Sequence, residues 1–425
     1  MNRTYTPELA PDVLDRLDGY ADSFRGHFKH PKQAAYCGTY LQGLLLDGER
    51  KSIEPMARRV HLPDGVKVAD LDQALQQFLG QSPWDDAAVM ATYRATMARR
   101  FASPRGVFIA DDTGLPKQGK HPVGVAHQYC GALGKQANCQ VAASLHYVSP
   151  EGHFPLAMRL YLPKGWVGDA ERLDRAGVPA EARTLRTKGR IILDLLDQVR
   201  AEGLAGRVMV ADAGYGVSGE FRDGLAERGM HYVVGVTEEM VVFPAEPAWD
   251  APTAGEPGRK GRPATRSKLA GDSPRPVSLK ELSAKLPRCK VTWREGTKGR
   301  MTARFAWARV WPAGGWATGE CRGAKPFWLL IEEQADGTIR YAVSNLPGRT
   351  SRIKAVRLWK TRWRVEQGYQ QMKEELGLDH HEGRSWRGFH HHVCLVMLAF
   401  GFLALERDRE ERDPARPGKK GVDAR

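Results

Sequence analysis

An α/β fold with a helical N-terminal segment is predicted for this chain of 425 residues, on two observations. Apolar residues recur at helical spacing up to about residue 103, whereas beyond it short apolar runs alternate with helical stretches. Two of these runs, Val107–Ala110 and Val208–Ala211, lead directly into aspartates. Because ligands of α/β sheets gather at the carboxyl ends of strands, the pattern also indicates where a functional site lies.

Residues 1–103 are predicted to form a helical domain. Apolar positions follow the helical repeat in stretches that begin at Leu9, Tyr40 and Leu71. Basic residues are interspersed among them: Lys29, Lys32, Arg50, Lys51, Arg58 and Arg59. This charge favours a domain that contacts DNA, and a dimerisation or packing module is the alternative.

Residues 104–240 are predicted to form the first part of the sheet core. A strand leads into Asp111 and Asp112, and two further strands form a hairpin around a Ser-Pro-Glu-Gly turn. A helix, a strand that leads into Asp212, a helix and a last strand follow: about Glu181–Glu202, Arg207–Ala211, Gly219–Arg228 and Tyr232–Val236. This order is the layout of an RNase H-like domain, in which the first and fourth strands are neighbours. It predicts Asp111 and Asp212 at neighbouring strand ends.

Residues 241–350 are predicted to form a β-rich insertion with a flexible basic loop. The loop is rich in Pro, Gly and Ala and contains Arg259-Lys-Gly-Arg262-Pro263. Its Lys-Gly-Arg-Pro core resembles a minor-groove AT-hook, which makes Arg262 a candidate DNA contact, and a solvated loop is the alternative. The insertion carries five tryptophans among basic residues, which either stack on bases or pack on strand faces: Trp293, Trp307, Trp311, Trp316 and Trp328.

Residues 351–405 are predicted to return to the core as helices. One helix, from about Arg352 to Leu376 and closed by Gly377, would place five residues on one face: Trp359, Arg362, Glu366, Tyr369 and Lys373. A face that mixes a guanidinium, a carboxylate and an ammonium costs free energy unless its charges find partners such as a metal ion or phosphates. A solvated helix face with i,i+4 ion pairs is the alternative.

The last part of the chain is predicted to be a buried helix and a disordered tail. The apolar run Val393–Leu405 is too short to span a bilayer. Three consecutive histidines, His390–His392, precede it and cannot all face one site on a helix, so a metal tripod from them is not expected. Residues 406–425 are charged and contain Pro and Gly, as in disordered segments.

Composition narrows the partners and the compartment. Lys and Arg number 64 against 50 Asp and Glu, which gives a net charge of +14 and a pI near 9.5. A polyanionic partner is therefore expected, nucleic acid before membrane. The six scattered cysteines indicate reduced thiols, and the N-terminus lacks the apolar core of a signal peptide. We therefore expect a cytoplasmic protein that associates with the nucleoid when bound to DNA.

Three acids of the predicted core and helix have the chemistry of a metal-dependent DNA-cutting site. Asp111 (or Asp112), Asp212 and Glu366 would supply oxygen ligands, which Mg²⁺ prefers, and two such ions suffice to cut a phosphodiester. Mn²⁺ is expected to substitute. Arg362 and Lys373 would then hold flanking phosphates, and Trp359 and Tyr369 on the same face are further candidate DNA contacts.

The same residues carry a resemblance to a known family. Trp359, Arg362, Glu366 and Lys373 resemble the Y-x2-R-x3-E-x6-K signature of bacterial insertion-sequence DDE transposases, with Trp in place of Tyr. The blocks around Asp111 and Asp212 look like those that carry the family's first and second Asp, and Gly383–His392 resembles the block after the Glu in the insertion sequence 701 family. An Asp-x-Thr/Ser pattern recurs at the first block in related transposases, which favours Asp111 over Asp112.

The resemblance implies an RNase H-like catalytic domain and Mg²⁺-dependent strand transfer. It also implies binding to terminal inverted repeats and target DNA, with a homodimer on the DNA. Two other functions fit the same residues: a metal-dependent nuclease without strand transfer, and an inactive or domesticated sequence-specific DNA-binding protein. The three intact acids argue against the inactive protein, while the β-rich insertion and the signature favour the transposase.

Overall fold

The computed structural model describes residues 9–251, 266–296, 299–321 and 323–412, and the chain divides into two compact units. Unit 1 comprises Met1–Gly206 and Trp363–Arg425, and unit 2 comprises Arg207–Arg362. Both units contain helices and strands, so the predicted α/β class is confirmed. Unit 2 combines the predicted insertion with two strands that the sequence pattern had assigned to the core.

Unit 1 begins with five α-helices in its described part. They are α1 (Pro11–Asp22), α2 (Pro31–Leu45), α3 (Ile53–Ala57), α4 (Leu71–Gly80) and α5 (Asp86–Phe101). Asp70 and Asp85 cap α4 and α5, because their carboxylates accept hydrogen bonds from backbone N–H groups of the first turn. The apolar positions of the helical repeat, such as Leu17, Leu41 and Leu75, are buried.

The strands that lie wholly in unit 1 pair antiparallel to one another. They are β1 (Val107–Pro116), β2 (Ala126–Cys130), β3 (Lys135–Ser149) and β4 (Gly152–Leu160). β3 pairs with β1 along one edge and with β2 and β4 along the other. The predicted hairpin is therefore confirmed as β3–β4, whereas β2 was not predicted. Three helices follow: α6 (Lys164–Val167), α7 (Ala170–Arg175) and α8 (Lys188–Ala201).

The first strand corrects one prediction. It does not end at the two acids but continues to Pro116, because its pairing with β3 is unbroken from Val107 to Pro116. Asp111 and Asp112 therefore lie in mid-strand, and the pleat directs their side chains to opposite faces of the sheet.

Unit 2 carries its own strands and helices. Its elements are β5 (Val208–Ala211), α9 (Ala213–Gly216), α10 (Gly219–Glu227), β6 (His231–Val236), β7 (Val241–Phe243), β8 (Trp249–Asp250), β9 (Lys268–Leu269), β10 (Val277–Ser278), α11 (Leu279–Lys285), β11 (Cys289–Gly296), β12 (Gly299–Pro312), β13 (Phe327–Glu333), β14 (Ile339–Ser344) and α12 (Arg352–Lys360).

The order of the paired strands within this unit is β10–β7–β12–β13–β14–β6–β5. Only β5 and β6 are parallel among the described pairs of this unit, β11 pairs with β12, and β8 and β9 form a separate ribbon. The β-rich character predicted for residues 241–350 is thus present in the part that is described. Arg262 and its AT-hook-like sequence lie outside the described residues.

The chain then returns to unit 1, and here a second prediction is wrong. The single helix expected from Arg352 to Leu376 is broken after α12, resumes as α13 (Trp363–Gln370) and ends in a π-helical turn, Gln371–Glu375. The break follows from Thr361, whose hydroxyl donates to the Arg357 carbonyl at 2.8 Å and whose N–H turns back to Leu358 at 3.0 Å. Gly377 has φ of 66° and ends the turn as predicted.

The last helix, α14 (Trp386–Arg412), forms the core of unit 1. By length and composition it could cross a membrane, but 83% of its apolar window is buried inside the protein, against α2, α4, α5 and β4. The prediction of a buried helix is confirmed. The disordered tail does not begin at residue 406 as expected: ion pairs of Glu406 with Arg16 and of Asp408 with Arg100 hold the helix to Arg412.

The ion pair between the buried Arg94 and the half-buried Glu202 predicts a large loss of stability on substitution. The Arg94 side chain is 3% exposed, and it donates to both Glu202 oxygens and to the Leu156 carbonyl. Arg94→Met leaves these acceptors unpaired and should lower the free energy of unfolding by about 3 kcal/mol in urea denaturation. Arg58→Met, which removes an exposed pair with Glu54, is the control and should change little. Equal midpoints for the two variants would contradict the prediction.

Candidate active site

Asp111 lies on the sheet face of unit 1 that the helix α13 covers. The carboxylate is nearly buried, with 9% of the residue exposed, and its cross-strand neighbour on β3 is Ser144. Directly opposed side chains of an antiparallel pair project from the same face. The Ser144 hydroxyl is hydrogen-bonded to the Tyr369 hydroxyl of α13. Tyr369 therefore contacts the sheet at the level of Asp111.

Asp112 belongs to the opposite face. Its carboxylate forms an ion pair with Lys188, the first residue of α8, at 2.5 Å. Its backbone N–H donates to the Asp111 carboxylate at 2.8 Å. The two neighbouring acids thus have different surroundings, and Asp112 is engaged by a cation on the face away from Tyr369.

Two polar contacts fasten the segment that carries Glu366 to this sheet. The first is the Tyr369–Ser144 hydrogen bond, and the second runs from the Lys373 ammonium to the Gly114 carbonyl of β1 at 3.1 Å. Burial lowers the pKa of Lys373. Glu366, one turn before Tyr369, is exposed. The structure therefore brings the helix of Glu366 over the face that holds Asp111.

Close packing beneath α13 depends on Gly368 and His146. A Cβ on Gly368 would lie 3.4 Å from the His146 ring, and that ring meets Tyr369 edge to face with centroids 5.3 Å apart. Neither ring nitrogen of His146 has a hydrogen-bond partner among the described residues, and burial lowers its pKa to about 3. His146 therefore stays neutral near pH 7 and supports Tyr369 by packing. No motif in the sequence indicated it.

Asp212 lies in unit 2, directly after β5, as the strand-end prediction required. It is the N-cap residue of α9, and its carbonyl accepts from the Gly216 N–H at 2.9 Å. This short turn rests on β6 at Gly235, where a Cβ would lie 2.7 Å from the Ala213 nitrogen. The same Cβ would lie 3.2 Å from the Trp359 ring, so the indole packs beside the turn that carries Asp212.

Trp359 and its neighbour Lys360 are held by a buried carboxylate that sequence reasoning missed. Glu332 on β13 is 2% exposed and accepts from the Trp359 indole N–H at 3.0 Å, while Lys360 forms an ion pair with its other oxygen. The indole N–H is therefore used inside unit 2. A pair of glutamates, Glu332 and Glu333, at the end of an apolar strand was the only signal that the sequence offered for this residue.

The five-residue stripe predicted for one helix does not exist as such. Trp359 and Arg362 precede the start of α13, Glu366 and Tyr369 are on α13, and Lys373 is in the π-helical turn. The polar atoms of Trp359, Tyr369 and Lys373 bond to the protein's own groups, and Arg362 is half-buried at the turn between the helices. Contact of these residues with DNA stays a prediction.

Unit 2 also contains a large groove, of about 1390 Å³, with aromatic and basic walls. Trp316 and Trp328 line it together with Arg222, Arg309 and Lys325, and the Arg309 guanidinium lies 5.1 Å from the Trp328 ring centroid. All five tryptophans of the predicted set are half-buried. Trp311 and Trp316 pack against the Phe243 cluster, the Lys360 ammonium lies over the Trp293 ring, and the Arg352 guanidinium lies over the Trp307 ring.

The donor set fits a hard divalent cation, since Asp111, Asp212 and Glu366 offer only carboxylate oxygens. Across residues 9–251, 266–296, 299–321 and 323–412, no three His, Cys, Asp or Glu side chains form a ready-made metal cluster. Convergence of the three acids stays a prediction.

Comparison with known proteins identifies the family. A family model described as DDE superfamily endonuclease matches residues 23–300. The chain belongs to the DDE endonuclease superfamily. The match includes Asp111 and Asp212 but ends before Glu366, so the choice of Glu366 rests on its motif and on the placement of α13.

This DDE endonuclease is also similar to an insertion-sequence protein. It is 32% identical over 232 residues to a protein of Microchaete diplosiphon named "Probable transposase for insertion sequence element IS701". The alignment covers 54% of this chain and 56% of that protein, so the chain spans about half the length of the curated relative. The resemblance to an insertion-sequence DDE transposase is thereby confirmed.

The buried Tyr369–Ser144 hydrogen bond predicts coupled effects on stability. Tyr369→Phe and Ser144→Ala should each lower the free energy of unfolding by about 1 kcal/mol, because each leaves one hydroxyl without its partner. The double variant should lose less than the two single losses added together, because the second substitution removes a bond that is already broken. Urea denaturation of all four proteins measures the coupling. Strict additivity would show that the two hydroxyls do not interact.

Proposed function

We propose that this DDE superfamily endonuclease is the transposase of an insertion sequence. In this proposal it binds terminal inverted repeats, cleaves DNA with Mg²⁺ (Mn²⁺ substituting) and transfers the strand ends to target DNA, as a homodimer on the DNA. Its catalytic core would be an RNase H-like domain. The observation that carries the proposal is the fastening of the Glu366 helix over the Asp111 face by Tyr369 and Lys373.

Asp111, Asp212 and Glu366 would be the metal ligands. Bound Mg²⁺ supplies an activated oxygen nucleophile and neutralises charge at the phosphate. The chain's contribution would be to hold three carboxylates in place: Asp111 by the β1–β3 pairing, Asp212 by the cap of α9, and Glu366 by the contacts of α13. Each of the three acids therefore lies in a segment that is held by contacts with the rest of its unit.

Asp111 is the better choice than Asp112 for the first ligand. It shares its sheet face with Ser144 and Tyr369, whereas Asp112 faces α8 and forms an ion pair with Lys188. A metal at Asp112 would have to displace Lys188, and that displacement costs the ion pair.

The cationic residues of the site would position DNA. Lys373 lies 3.1 Å from the Gly114 carbonyl, and its ammonium has three protons, so the same group can also donate to a phosphate. Arg362, whose planar guanidinium suits a bidentate phosphate contact, is proposed to act beside it. Most of the affinity would come from Lys and Arg residues elsewhere, given the net charge of +14.

Two other functions remain to be separated by experiment. A nuclease on the same fold would cut DNA but would not join the 3′ ends to a target. An inactive, domesticated DNA-binding protein would bind inverted repeats and cut nothing. Short inverted repeats that flank the coding region, if present, provide the substrate for both assays.

Conservative substitution of the proposed ligands should abolish cleavage and leave DNA binding nearly intact. Glu366→Gln and Asp111→Asn remove a metal ligand, whereas affinity comes from basic residues across the surface. We expect cleavage in Mg²⁺ to fall by at least about a thousandfold, roughly 4 kcal/mol in activation free energy. The assay follows strand cleavage and electrophoretic mobility on the same end-bearing duplex.

Two neighbouring acids serve as matched controls. Glu374→Gln changes an exposed glutamate of the π-helical turn that pairs with Gln370, and it should cut like the wild type. Asp112→Asn breaks the ion pair with Lys188 and should retain most cleavage. If Asp112→Asn is inactive while Asp111→Asn still cuts, the first ligand has been chosen wrongly.

The groove of unit 2 is proposed to hold a strand end by stacking bases on Trp328 or Trp316. Trp328→Ala should therefore leave first-strand nicking unchanged and slow a later step by about tenfold, which is typical of the loss of one stacked base. Trp311→Ala is the comparison, because Trp311 packs in the Phe243 cluster and its loss should act through stability. Gel assays that separate nicks from processed ends make the measurement. Equal effects on both steps would exclude the stacking role.

A further inference from the structure

The hairpin of β2 and β3 presents apolar side chains to solvent at its tip. Tyr129 is 61% exposed and has the highest exposure of the large hydrophobic residues in the described part of the chain, and Leu133 is 47% exposed. Both belong to one hairpin, Ala126–Cys139, which was not predicted from the sequence. Two exposed apolar side chains on one hairpin favour contact with a partner.

This tip is stiff. Leu133 N–H donates to the Cys130 carbonyl at 2.9 Å, and Gly134 N–H donates to the Gly131 carbonyl at 3.3 Å. Cys130, which directly precedes the turn, and Cys139, at the base of the hairpin, are fully buried in a cluster with Val141. The hairpin therefore holds Tyr129 and Leu133 outward on a fixed support.

The charge around the hairpin favours a polyanion. No Asp or Glu occurs between Asp112 and Glu151, whereas three lysines do. Lys117 is engaged by the carbonyls of Asp379 and His381, but Lys120 and Lys135 are exposed. The Asn138 amide holds the loop of Lys120 against the hairpin through the carbonyls of Lys117 and Gly119, at 2.6 and 2.9 Å.

We propose that the β2–β3 hairpin is a contact element for duplex DNA, in which Tyr129 and Leu133 press against bases while Lys120 and Lys135 bind the flanking phosphates. Apolar wedges beside cations are how many proteins grip and bend a duplex. The identity of the polyanion as DNA rests on the proposed function. A surface for another protein would be expected to carry both signs of charge, which this segment does not.

The tip of the hairpin lies near the point where the Glu366 helix is attached to β1. A Cβ on Gly114 would lie 3.2 Å from the Cα of Cys130, which pairs with Lys135 and directly precedes the turn. Gly114 is also the residue whose carbonyl accepts from Lys373. The hairpin would therefore grip the duplex close to the proposed catalytic face.

The test measures binding of the full chain to a fluorescent 30-bp duplex of arbitrary sequence between 50 and 200 mM salt, the range over which phosphate contacts dominate such binding. Lys120→Gln with Lys135→Gln should reduce the slope of log affinity against log salt by about two, since each phosphate contact contributes about 0.9. Tyr129→Ala should weaken binding by at least about fivefold with the slope unchanged, because a ring releases no counterions. Tyr129→Phe retains the ring and should bind like the wild type.

Two controls isolate the hairpin. Arg25→Gln removes one exposed positive charge away from the hairpin and should weaken binding only by the loss of that single charge. Leu185→Ala removes an exposed apolar side chain away from the hairpin and should leave the affinity unchanged. Unchanged affinity and slope for all hairpin variants overturns the proposal. A Tyr129→Ala variant that binds DNA normally but shifts from dimer to monomer in sedimentation also overturns it, in favour of an interface between copies.

The binding measurements on the hairpin variants do not depend on whether the protein cleaves DNA. A wild-type protein that binds DNA through Tyr129 but never cuts would sink the proposed function and leave the hairpin contact standing. A protein that cuts end-bearing DNA while every hairpin variant binds and cuts normally would sink the hairpin contact alone.

Discussion

The hydrogen bond between Tyr369 and Ser144 is the contact on which the arrangement of the site depends. It joins a helix from the end of the chain to a strand more than two hundred residues earlier, opposite Asp111. Lys373 adds a second attachment at Gly114, and Gly368 lets the helix lie close to His146. Gly114 and His146 lie on either side of Asp111 along the sheet, so the two contacts together fix the position of α13. A shift of α13 would move Glu366 relative to β1. A buried bond between two hydroxyls is suited to this role, since it is directional.

In unit 2 a buried carboxylate, that of Glu332, holds a helix to a strand. Glu332 is almost completely buried, and it is tolerated because the Trp359 indole and the Lys360 ammonium occupy its two oxygens. The same indole packs against Gly235, beneath the turn that begins at Asp212. The residue that stands in place of the family's Tyr is thus a packing and hydrogen-bonding element of its own unit. This explains how Trp can occupy the position without leaving a buried N–H unsatisfied.

Two basic surfaces of the protein, the groove of unit 2 and the β2–β3 hairpin of unit 1, differ in chemistry. The groove of unit 2 combines arginines with half-buried tryptophans, whereas the hairpin of unit 1 combines exposed lysines with an exposed tyrosine and leucine. A stacked arginine and indole, as in Arg309 and Trp328, favours unpaired bases, while a stiff apolar tip favours the surface of a duplex. The two features would therefore engage different forms of the same nucleic acid.

The sequence by itself determined the acids, their order, the β3–β4 hairpin, the β-rich region and the buried last helix, because these follow from local periodicity and motif spacing. Only the tertiary structure decided which of Asp111 and Asp112 shares a face with Tyr369, since β1 continues through both acids and the register with β3 selects the face. It also decided that the predicted helix breaks at Thr361, where a side-chain hydroxyl competes for the Arg357 carbonyl. The partners of Trp359 and Lys373 lie far away in the chain, so no local pattern could have indicated that their polar atoms bond within the protein.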